Sequence, residues 1–316
     1  MSSEYAITVI IPYHNEKKTI KKTLELIKSQ SYQPKKVLLI NSSSTDTTSD
    51  VIDKWIAKNK SENIYKNIFK NTKYPSTSKN LGIKLSKTEW LAFMDCDLNF
   101  KKNWLQNQVK FIKKNNLKIV LGTCYLKGSG LIDSCCVAQT WGYKTKIGVI
   151  PSSIVNKKIF NKIGLFYPSR AGYDRLWINN LKKIYKNNVK NNDTCIIEYN
   201  KFNYSNNLLI FFKKIYTYSL SSNKIKNLNR KNYYIFFIIT FMFFLTFSPD
   251  LFIIFFITYL ILRSYIFPIY KSKNLKIFKD YFFSILILPI VGTGIDLMRT
   301  LSLFVFTLRK IFSIPH

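Results

Sequence analysis

The stretch Ala6-Ile-Thr-Val-Ile-Ile-Pro-Tyr-His-Asn-Glu16 decides how the first half of the chain is interpreted. Its apolar run predicts a buried β-strand over 6–11, which Pro12 should close because proline cannot donate a ladder hydrogen bond. Polar residues follow at once. The run Lys36-Val-Leu-Leu-Ile-Asn41 repeats this arrangement, since it is also apolar and is also followed by polar residues, Ser42 to Asp46.

These two strands belong to a longer alternation of apolar runs and amphipathic stretches. The elements predicted after the first strand are a helix over 17–29, a strand over 36–41, a helix over 47–58, a helix over 76–85 and a strand over 90–94. Such alternation predicts an α/β fold, a mostly parallel sheet flanked by helices. Ligands bind beyond the carboxyl ends of the strands in such sheets, so the polar residues at those ends are candidate site residues.

Composition excludes several classes of protein. The chain has 316 residues, of which 47% are hydrophobic, and this fraction excludes an intrinsically disordered chain. Five cysteines without a CxxC pair exclude a disulfide scaffold and a zinc ribbon, and two histidines exclude a His-rich metal site. The first eleven residues lack the basic start and long apolar run of a signal peptide. We therefore expect the first half to fold in the cytoplasm.

The formal net charge of +32 points to an anionic partner, either nucleic acid or a membrane surface. Only six of the 49 basic residues are arginine, and Asn, Ile, Phe and Tyr are also abundant, which matches the bias of AT-rich codons. The sequence contains no RNA-binding aromatic motif, helix-turn-helix pattern or zinc finger. We therefore expect a membrane partner and no nucleic-acid partner.

The chain changes character near residue 205, after which acidic residues nearly vanish. Apolar runs over 233–247 and 251–267 flank a Ser-Pro-Asp interruption, and a third apolar region covers 281–308. Runs of this length are short for a bilayer, which about 20 residues span. We expect a membrane-associated helical region over 206–316 with a hairpin over 233–267. The alternative is a set of buried helices in a soluble domain.

The basic residues that flank the apolar runs predict a topology. Lysines and arginines precede the first run and follow the second, so both flanks should be cytoplasmic. Arg309 and Lys310 place the C-terminus on the same side. The third region should then be a second hairpin or a shallow amphipathic element, with Asp296 and Arg299 paired at i, i+3.

Five polar motifs occur in order along the predicted α/β region. They are Ile11-Pro-Tyr-His-Asn-Glu16, Asn41-Ser-Ser-Ser-Thr-Asp46, Lys79-Asn-Leu-Gly82, Asp95-Cys-Asp97 and Gly172-Tyr-Asp-Arg-Leu-Trp177. Each motif alone is a weak signal, but the ordered set resembles the family 2 glycosyltransferases of the GT-A fold over about residues 5–200. The resemblance implies a GT-A catalytic domain over 1–205, a nucleotide-diphosphate sugar donor and an acceptor hydroxyl.

The resemblance also implies roles for single residues. A divalent cation, Mg or Mn, would neutralise the diphosphate leaving group, and carboxylate oxygens suit both ions. Asp97 is the expected metal ligand, with Asp95 as a possible second ligand or a ribose contact. The expected donor-binding residues are Pro12, Tyr13, Asn15, Glu16, Asn41, Asp46, Lys79, Asn80 and Asp95.

A direct displacement at the anomeric carbon needs a general base for the acceptor hydroxyl, and it inverts the configuration. The resemblance gives this role to Asp174. The alternative for Asp174 is an ordinary N-cap of a helix over 175–185. Gln139 to Trp141 lie between the Asp-Cys-Asp motif and Asp174, where acceptor contacts usually form. Trp141 could stack on a sugar or belong to the core.

Three residues depart from the family pattern. Asn41 replaces an acidic residue, Tyr173 replaces the glutamate before the base, and His14 stands at a variable or Tyr-like position. They leave open a non-catalytic membrane scaffold with a decayed transferase domain. A sugar-phosphate nucleotidyltransferase would need a Gly-rich loop after the first strand, which is absent. We expect an enzyme at the cell membrane whose acceptor is a lipid-linked or cell-surface glycan.

Overall fold

A computed structural model describes residues 5–69, 72–96, 98–199, 207–225 and 231–312. The first part contains β1 Ile7–Tyr13, α1 Ile20–Lys28, β2 Lys36–Asn41, α2 Thr48–Lys58, β3 Tyr65–Ile68, α3 Pro75–Leu85, β4 Trp90–Phe93, β5 Leu98–Asn99, α4 Trp104–Asn115, β6 Ile119–Leu126, α5 Leu131–Thr140, β7 Thr145–Asn156, α6 Ile159–Ile163, α7 Tyr173–Tyr185 and β8 Lys190–Tyr199. The second part contains α8 Leu208–Ser222, α9 Lys231–Phe247, α10 Pro249–Ile261, a π-helical segment Leu262–Ile266, α11 Phe267–Ser272, α12 Lys276–Asp280 and α13 Ser284–Ile311.

The chain forms two compact units. The first unit consists of Met1–Tyr125 and Lys146–Lys201, and the second of Leu126–Thr145 and Phe202–His316. Residues 126–145 fall inside the predicted catalytic domain of 1–205, yet they pack with the C-terminal helices. The sequence did not indicate this, because the partners of the segment lie more than a hundred residues away in the chain.

Within the described residues, the strands of the first unit form one sheet in the order β3-β2-β1-β4-β7-β6-β8-β5. Strands β3, β2, β1 and β4 run parallel to one another, whereas β7 runs antiparallel to β4 and β5 antiparallel to β8. The predicted α/β fold with a mostly parallel sheet flanked by helices is confirmed. Every residue of β1 is buried, as expected for a central strand with both faces covered.

Strand β1 does not end at Pro12, as predicted, but continues in register with β2 through Tyr13. Strand β4 pairs with β1 only up to Ile10, so Pro12 lies beyond that ladder. A proline there removes no hydrogen bond between β1 and β4. The strand therefore ends at Tyr13, two residues later than the sequence pattern indicated.

Helix α3 packs very closely on the sheet. A Cβ added at Gly82 would lie 2.5 Å from Cγ2 of Ile10, which is shorter than any real Cβ contact. Glycine at this position therefore lets the helix approach β1. That approach brings the polar face of α3 to the carboxyl ends of β1 and β4, where the candidate site lies.

The second unit is an apolar helical assembly around a core from α5, α8, α12 and α13. Its buried members are Cys135, Cys136, Ala138, Tyr143, Phe211, Ile215, Ile277, Leu288, Val291 and Ile295. Two helical stretches of the described chain are long and apolar enough to cross a membrane, Asp250–Ser272 and Ser284–Ile311. Fewer than a third of the residues in each are buried.

Helix α13 corrects the expectation of a second hairpin over 281–308. It is one helix of 28 residues that passes through Gly292 and Gly294 without a break. Both glycines are packing positions, since a Cβ at Gly292 would meet Gln139 and one at Gly294 would meet Phe212. The predicted pair of Asp296 and Arg299 is confirmed at 3.8 Å.

Candidate active site

The loops after β1 and β2 are joined through Asn15. Its side-chain Oδ1 accepts hydrogen bonds from the backbone N–H of Thr45 at 2.8 Å and of Asp46 at 3.3 Å. Its own backbone N–H donates to Ser44 Oγ at 3.1 Å. Asn15 adopts a left-handed φ of 54°, which asparagine tolerates better than most residues. Asn15 therefore holds two of the predicted donor-binding motifs together.

Asp46 presents an ionised carboxylate at this edge of the sheet. Its oxygens accept from Thr48 N at 3.1 Å, Thr48 Oγ1 at 2.5 Å and Lys17 N at 3.4 Å. Burial acts to raise the pKa of Asp46, but these hydrogen bonds outweigh it and hold the pKa below its ordinary value. The side chain is exposed, so it can still reach a ligand.

Glu16 and Asn41 shape the same loops. Glu16 donates its backbone N–H to Thr48 Oγ1 at 2.9 Å, and its carboxylate accepts from Thr19 Oγ1. Asn41 accepts from Ser44 N through its side-chain Oδ1 at 2.7 Å. An aspartate could make that same contact, so the replacement of the usual acid by Asn41 preserves the fold of the loop.

Tyr13, expected to bind the donor, has a buried side chain. It is 1% exposed, and its hydroxyl is engaged by Ser49 Oγ at 2.5 Å and Asn67 Oδ1 at 2.8 Å. Burial raises the pKa of Tyr13 to about 12. The neighbouring His14 is exposed and contacts the Ser42 carbonyl through Nδ1 at 2.7 Å.

The centre of the candidate site is a buried cluster around Lys79 of α3. Its ammonium lies 3.2 Å from Asp95 Oδ1, at the end of β4, and donates to Tyr173 Oη, at the start of α7, at 3.1 Å. Lys79 is only 2% exposed, whereas the side chain of Asp95 is 29% exposed. Lys79 was expected to place its charge near the donor phosphates. In the structure its ammonium contacts the Asp95 carboxylate and the Tyr173 hydroxyl.

In this cluster the Lys79 side chain is positively charged and the Tyr173 side chain is neutral. Burial alone would lower the pKa of Lys79, but Asp95, Tyr173 and Asp174 outweigh it and hold the pKa above its ordinary range. Burial raises the pKa of Tyr173 to about 12, against the effect of Lys79. A neutral phenol therefore stands where the family pattern has a glutamate, and Lys79 binds it by a hydrogen bond. In sequence Tyr173 is only a departure from the family pattern, and its pairing with Lys79 is visible in the structure alone.

Asp174 lies in the first turn of α7 and is not its N-cap. The helix begins at Tyr173, two residues earlier than predicted, and Gly172 occupies the cap position with a left-handed φ of 82°. Asp174 Oδ1 accepts the backbone N–H of Arg175 at 2.8 Å. The side chain is partly exposed, so its second oxygen can face a ligand while the helix N-terminus favours its negative charge.

Asn80 has a structural role that the sequence did not indicate. It exchanges two hydrogen bonds with the backbone of Phe166, at 2.8 and 3.0 Å. Ser76 of the same helix likewise exchanges two hydrogen bonds with the backbone of Ser169, at 2.8 and 2.9 Å. Asn80, predicted to bind the donor, thus helps to fix the loop that leads into Asp174.

The Asp-Cys-Asp motif is only partly described. Cys96 is buried, where its carbonyl accepts from Thr23 Oγ1 and its thiol donates to the Pro12 carbonyl at 3.6 Å. These contacts fix Asp95 at the carboxyl end of β4. Asp97, the predicted metal ligand, lies outside the described residues. Among the described residues, no group of three His, Cys, Asp or Glu side chains has the geometry of a metal site.

The predicted acceptor-side residue Gln139 is buried in the second unit. Its side-chain Nε2 donates to the carbonyls of Leu288 at 3.1 Å and Arg263 at 3.3 Å, and its Oε1 accepts from the Arg263 guanidinium. Gln139 is 1% exposed, and these partners engage both the nitrogen and the oxygen of its side-chain amide. Trp141 caps the C-terminal end of α5 and is half-buried.

Comparison with known proteins adds a family match. The profile described as "Glycosyl transferase family 2" matches residues 8–182. An uncharacterized glycosyltransferase of Rickettsia bellii is 34% identical over 110 residues, which cover 35% of this chain and 15% of that protein. The UDP-Glc:alpha-D-GlcNAc-diphosphoundecaprenol beta-1,3-glucosyltransferase of Escherichia coli is 26% identical over 231 residues, which cover 72% of this chain and 84% of that protein.

A solved structure shares the fold. A mannosyltransferase of Pyrobaculum calidifontis, solved with GDP-Man and Mn2+, aligns with a TM-score of 0.53 at 13% identity. The alignment covers 99% of this chain and 89% of that one. At this identity the similarity concerns the fold alone.

Proposed function

This chain belongs to the family 2 glycosyltransferases, and from that premise we propose that it moves a sugar from a nucleotide-diphosphate donor to an acceptor hydroxyl by inverting displacement. The observation that carries the proposal is the Lys79 cluster. One buried ammonium joins Asp95, from the donor-side motif, to the helix start that bears Asp174. Burying a charge costs desolvation free energy even when it is paired, so the buried ammonium supports an active site rather than an inactive scaffold.

The donor site lies at the carboxyl ends of β1, β2 and β4. Asp46 and Asn15 supply polar groups for the nucleoside, and Asp95 supplies a carboxylate for the ribose or the cation. The E. coli relative is named for UDP-Glc, so uridine diphosphate sugars are the first donors to test.

A divalent cation suits this donor. Asp95 offers hard oxygen ligands at a partly exposed position, which fits Mg or Mn. Asp97, with Asp95, would hold the ion, and when bound it would neutralise the diphosphate leaving group. The Lys79 ammonium, 3.2 Å from Asp95 Oδ1, holds this carboxylate in position.

The acceptor is a lipid-linked glycan at the cell membrane. Two helical stretches of the second unit have the length and composition of membrane spans, and large apolar side chains are exposed along them. Burying such surface in lipid is favourable, whereas leaving it in water is not. The name of the E. coli relative includes a diphosphoundecaprenol-linked sugar. We place the catalytic unit on the cytoplasmic side.

The test of catalysis is the Asp174→Asn variant. Asparagine keeps the size of the side chain and its contact with Arg175 N, but it cannot accept the acceptor proton. Calorimetric titration with the donor nucleotide and manganese should give an unchanged affinity, while transfer should fall by about 10² to 10⁴. The transfer assay is run over a panel of nucleotide sugars.

The matched control is Asp193→Asn, which removes a surface carboxylate that is 65% exposed and 3.8 Å from Lys146. We expect this variant to bind and transfer like the parent. If Asp174→Asn also transfers like the parent, the base lies elsewhere. If the parent binds no nucleotide under any condition, the scaffold alternative replaces the enzyme.

A further inference from the structure

A charged cluster lies among the apolar helices of the second unit. It consists of Arg263 in the π-helical segment and of Asp296 and Arg299 on α13. Asp296 Oδ2 accepts from Arg263 Nε at 2.6 Å and from Tyr259 Oη at 3.2 Å, and its Oδ1 accepts from Arg263 Nη2 at 3.4 Å. Ionisable groups in apolar helical bundles are expensive and tend to mark functional sites.

Arg263 is fully provided with partners. It binds both oxygens of Asp296, donates to Gln139 Oε1, and its guanidinium lies 4.6 Å from the centre of the Phe267 ring. Its side chain is 7% exposed. Asp296 and Arg263 therefore form a closed, neutral pair.

Arg299 carries the positive charge that remains after Arg263 and Asp296 have neutralised each other. It lies 3.8 Å from Asp296 Oδ1, and its Nη1 donates to Tyr234 Oη at 3.3 Å. A guanidinium has five N–H donors, so a weak ion pair and a neutral phenol satisfy it poorly. The side chain is 25% exposed.

Among the described residues of the second unit, no other acid forms an ion pair with Arg299. The sequence of this unit contains only four acidic residues, Asp133, Asp250, Asp280 and Asp296. Asp280 binds Lys144 at 2.6 Å and Tyr143, and Asp133 accepts from Ser129 within its own turn. Asp250 stands in the first turn of α10, about 20 Å along the helix axis from Arg263. The cluster thus carries a net charge of +1.

We propose that Arg299, oriented by the Asp296–Arg263 pair, binds the phosphate group of a lipid. This proposal rests on the membrane association proposed above. A planar guanidinium is suited to phosphate oxygens, which it can bind in pairs. Ile238 lies one turn along α9 from Tyr234, the residue that Arg299 contacts, and this exposed apolar side chain suits an acyl or isoprenoid chain. Such a phosphate belongs either to a bulk phospholipid or to a polyprenyl-linked acceptor.

The experiment measures binding by the full-length protein in a phosphate-free maltoside detergent, by native mass spectrometry. The probes are a long-chain polyprenyl phosphate, the matching polyprenol without phosphate, and phosphatidylglycerol. The parent should prefer polyprenyl phosphate to polyprenol, and Arg299→Gln should weaken phosphate-lipid binding by about 10- to 100-fold, as expected for the loss of a charged hydrogen-bonded pair. Arg309→Gln removes the same charge from the same helix outside the cluster and should bind like the parent.

A second variant guards against misfolding. Arg299→Lys keeps the positive charge without the paired N–H donors and should restore part of the binding lost in Arg299→Gln, which a misfolded protein cannot mimic. Equal losses in Arg299→Gln and Arg309→Gln, or equal binding of polyprenol and polyprenyl phosphate, would overturn the proposal. Arg299-dependent binding supports it, with phosphatidylglycerol or polyprenyl phosphate identified as the source by relative affinity. Because the readout is binding, the proposal can hold even if transferase activity is absent.

Discussion

At the residue scale, Lys79 shows how one buried charge can organise a site. Its ammonium is 2% exposed and is stabilised by Asp95, Tyr173 and Asp174 rather than by water. Its position on α3 follows from the close approach that Gly82 permits. The family pattern has an acid before the base, and this chain has a phenol there. Tyr173 accepts a hydrogen bond from Lys79 but adds no negative charge. The negative charges that act on the Lys79 ammonium are therefore those of Asp95 and Asp174.

Tyr13 gives a prediction for stability against pH. Its pKa is raised by burial from 10.0 to about 12, so the stability linked to the neutral phenol is complete below pH 10 and lost as the pH rises to about 12. At pH 11 the loss should be about 1.4 kcal/mol. Tyr13→Phe cannot ionise, so its free energy of unfolding should fall less between pH 9.5 and 11. Urea unfolding at several pH values measures this. Parallel alkaline losses in the two proteins would contradict the assignment.

At the scale of elements, the parallel strands β1, β2 and β4 bring separate motifs to one edge, and α3 then connects them. One face of this helix supplies Lys79 to the cluster, while Ser76 and Asn80 hold the loop before Asp174. A single helix therefore links Asp95 to the loop that precedes Asp174. Spacing along the chain alone does not show this, since the loop lies more than eighty residues later.

The hairpin of α9 and α10 gives a prediction for topology. The helices meet at Ser248, and rings contact across the turn, with Phe241 and Phe252 centred 4.9 Å apart. We expect the tip to face away from the cytoplasm. In intact cells, Ser248→Cys should therefore react with a membrane-impermeant maleimide.

The control for this labelling is Lys279→Cys, on the exposed side of α12 and expected to be cytoplasmic, which should react only after lysis. The parent serves as the blank, since its five cysteines, all within the described residues, are buried. Reaction of both variants only after lysis would argue against a tip that crosses the membrane.

At the scale of the whole molecule, the second unit includes a segment from the middle of the transferase sequence. Residues 126–145 connect β6 to β7. The backbone N–H of Tyr143 donates to Ser272 Oγ at 2.8 Å, and its hydroxyl donates to Asp280 Oδ2 at 2.9 Å. Cys135, Cys136 and Tyr143 are buried in the core of that unit. The C-terminal helices therefore cover apolar surface that the transferase sequence itself contributes.

A truncation tests this arrangement. A chain ending at residue 201 should aggregate, because the apolar side of α5 loses its cover. The ends of the segment are neighbours, since Lys144 N donates to the Leu126 carbonyl at 2.9 Å. Replacing residues 127–143 of the truncated chain by a short Gly-rich turn should therefore restore a monodisperse, folded protein. Size-exclusion chromatography and circular dichroism measure both. A monodisperse truncation that retains the native segment would contradict the prediction.

Local pattern in the sequence sufficed for the class of fold, the order of the first elements and the position of the candidate site at the strand ends. The reason is that burial of alternating apolar runs depends on residues close together in the chain. The apolar composition after residue 205 likewise indicated the long helices.

Only the tertiary structure decided which polar residues face the site. Tyr13 and Gln139 are buried with distant partners, Asn80 holds a loop, and Lys79 lies behind Asp95. These outcomes depend on packing between residues that are far apart in sequence, such as Gln139 and Arg263, and on how closely a helix can approach a strand. No periodicity encodes such contacts, because each depends on the shape and hydrogen-bonding capacity of both partners at once.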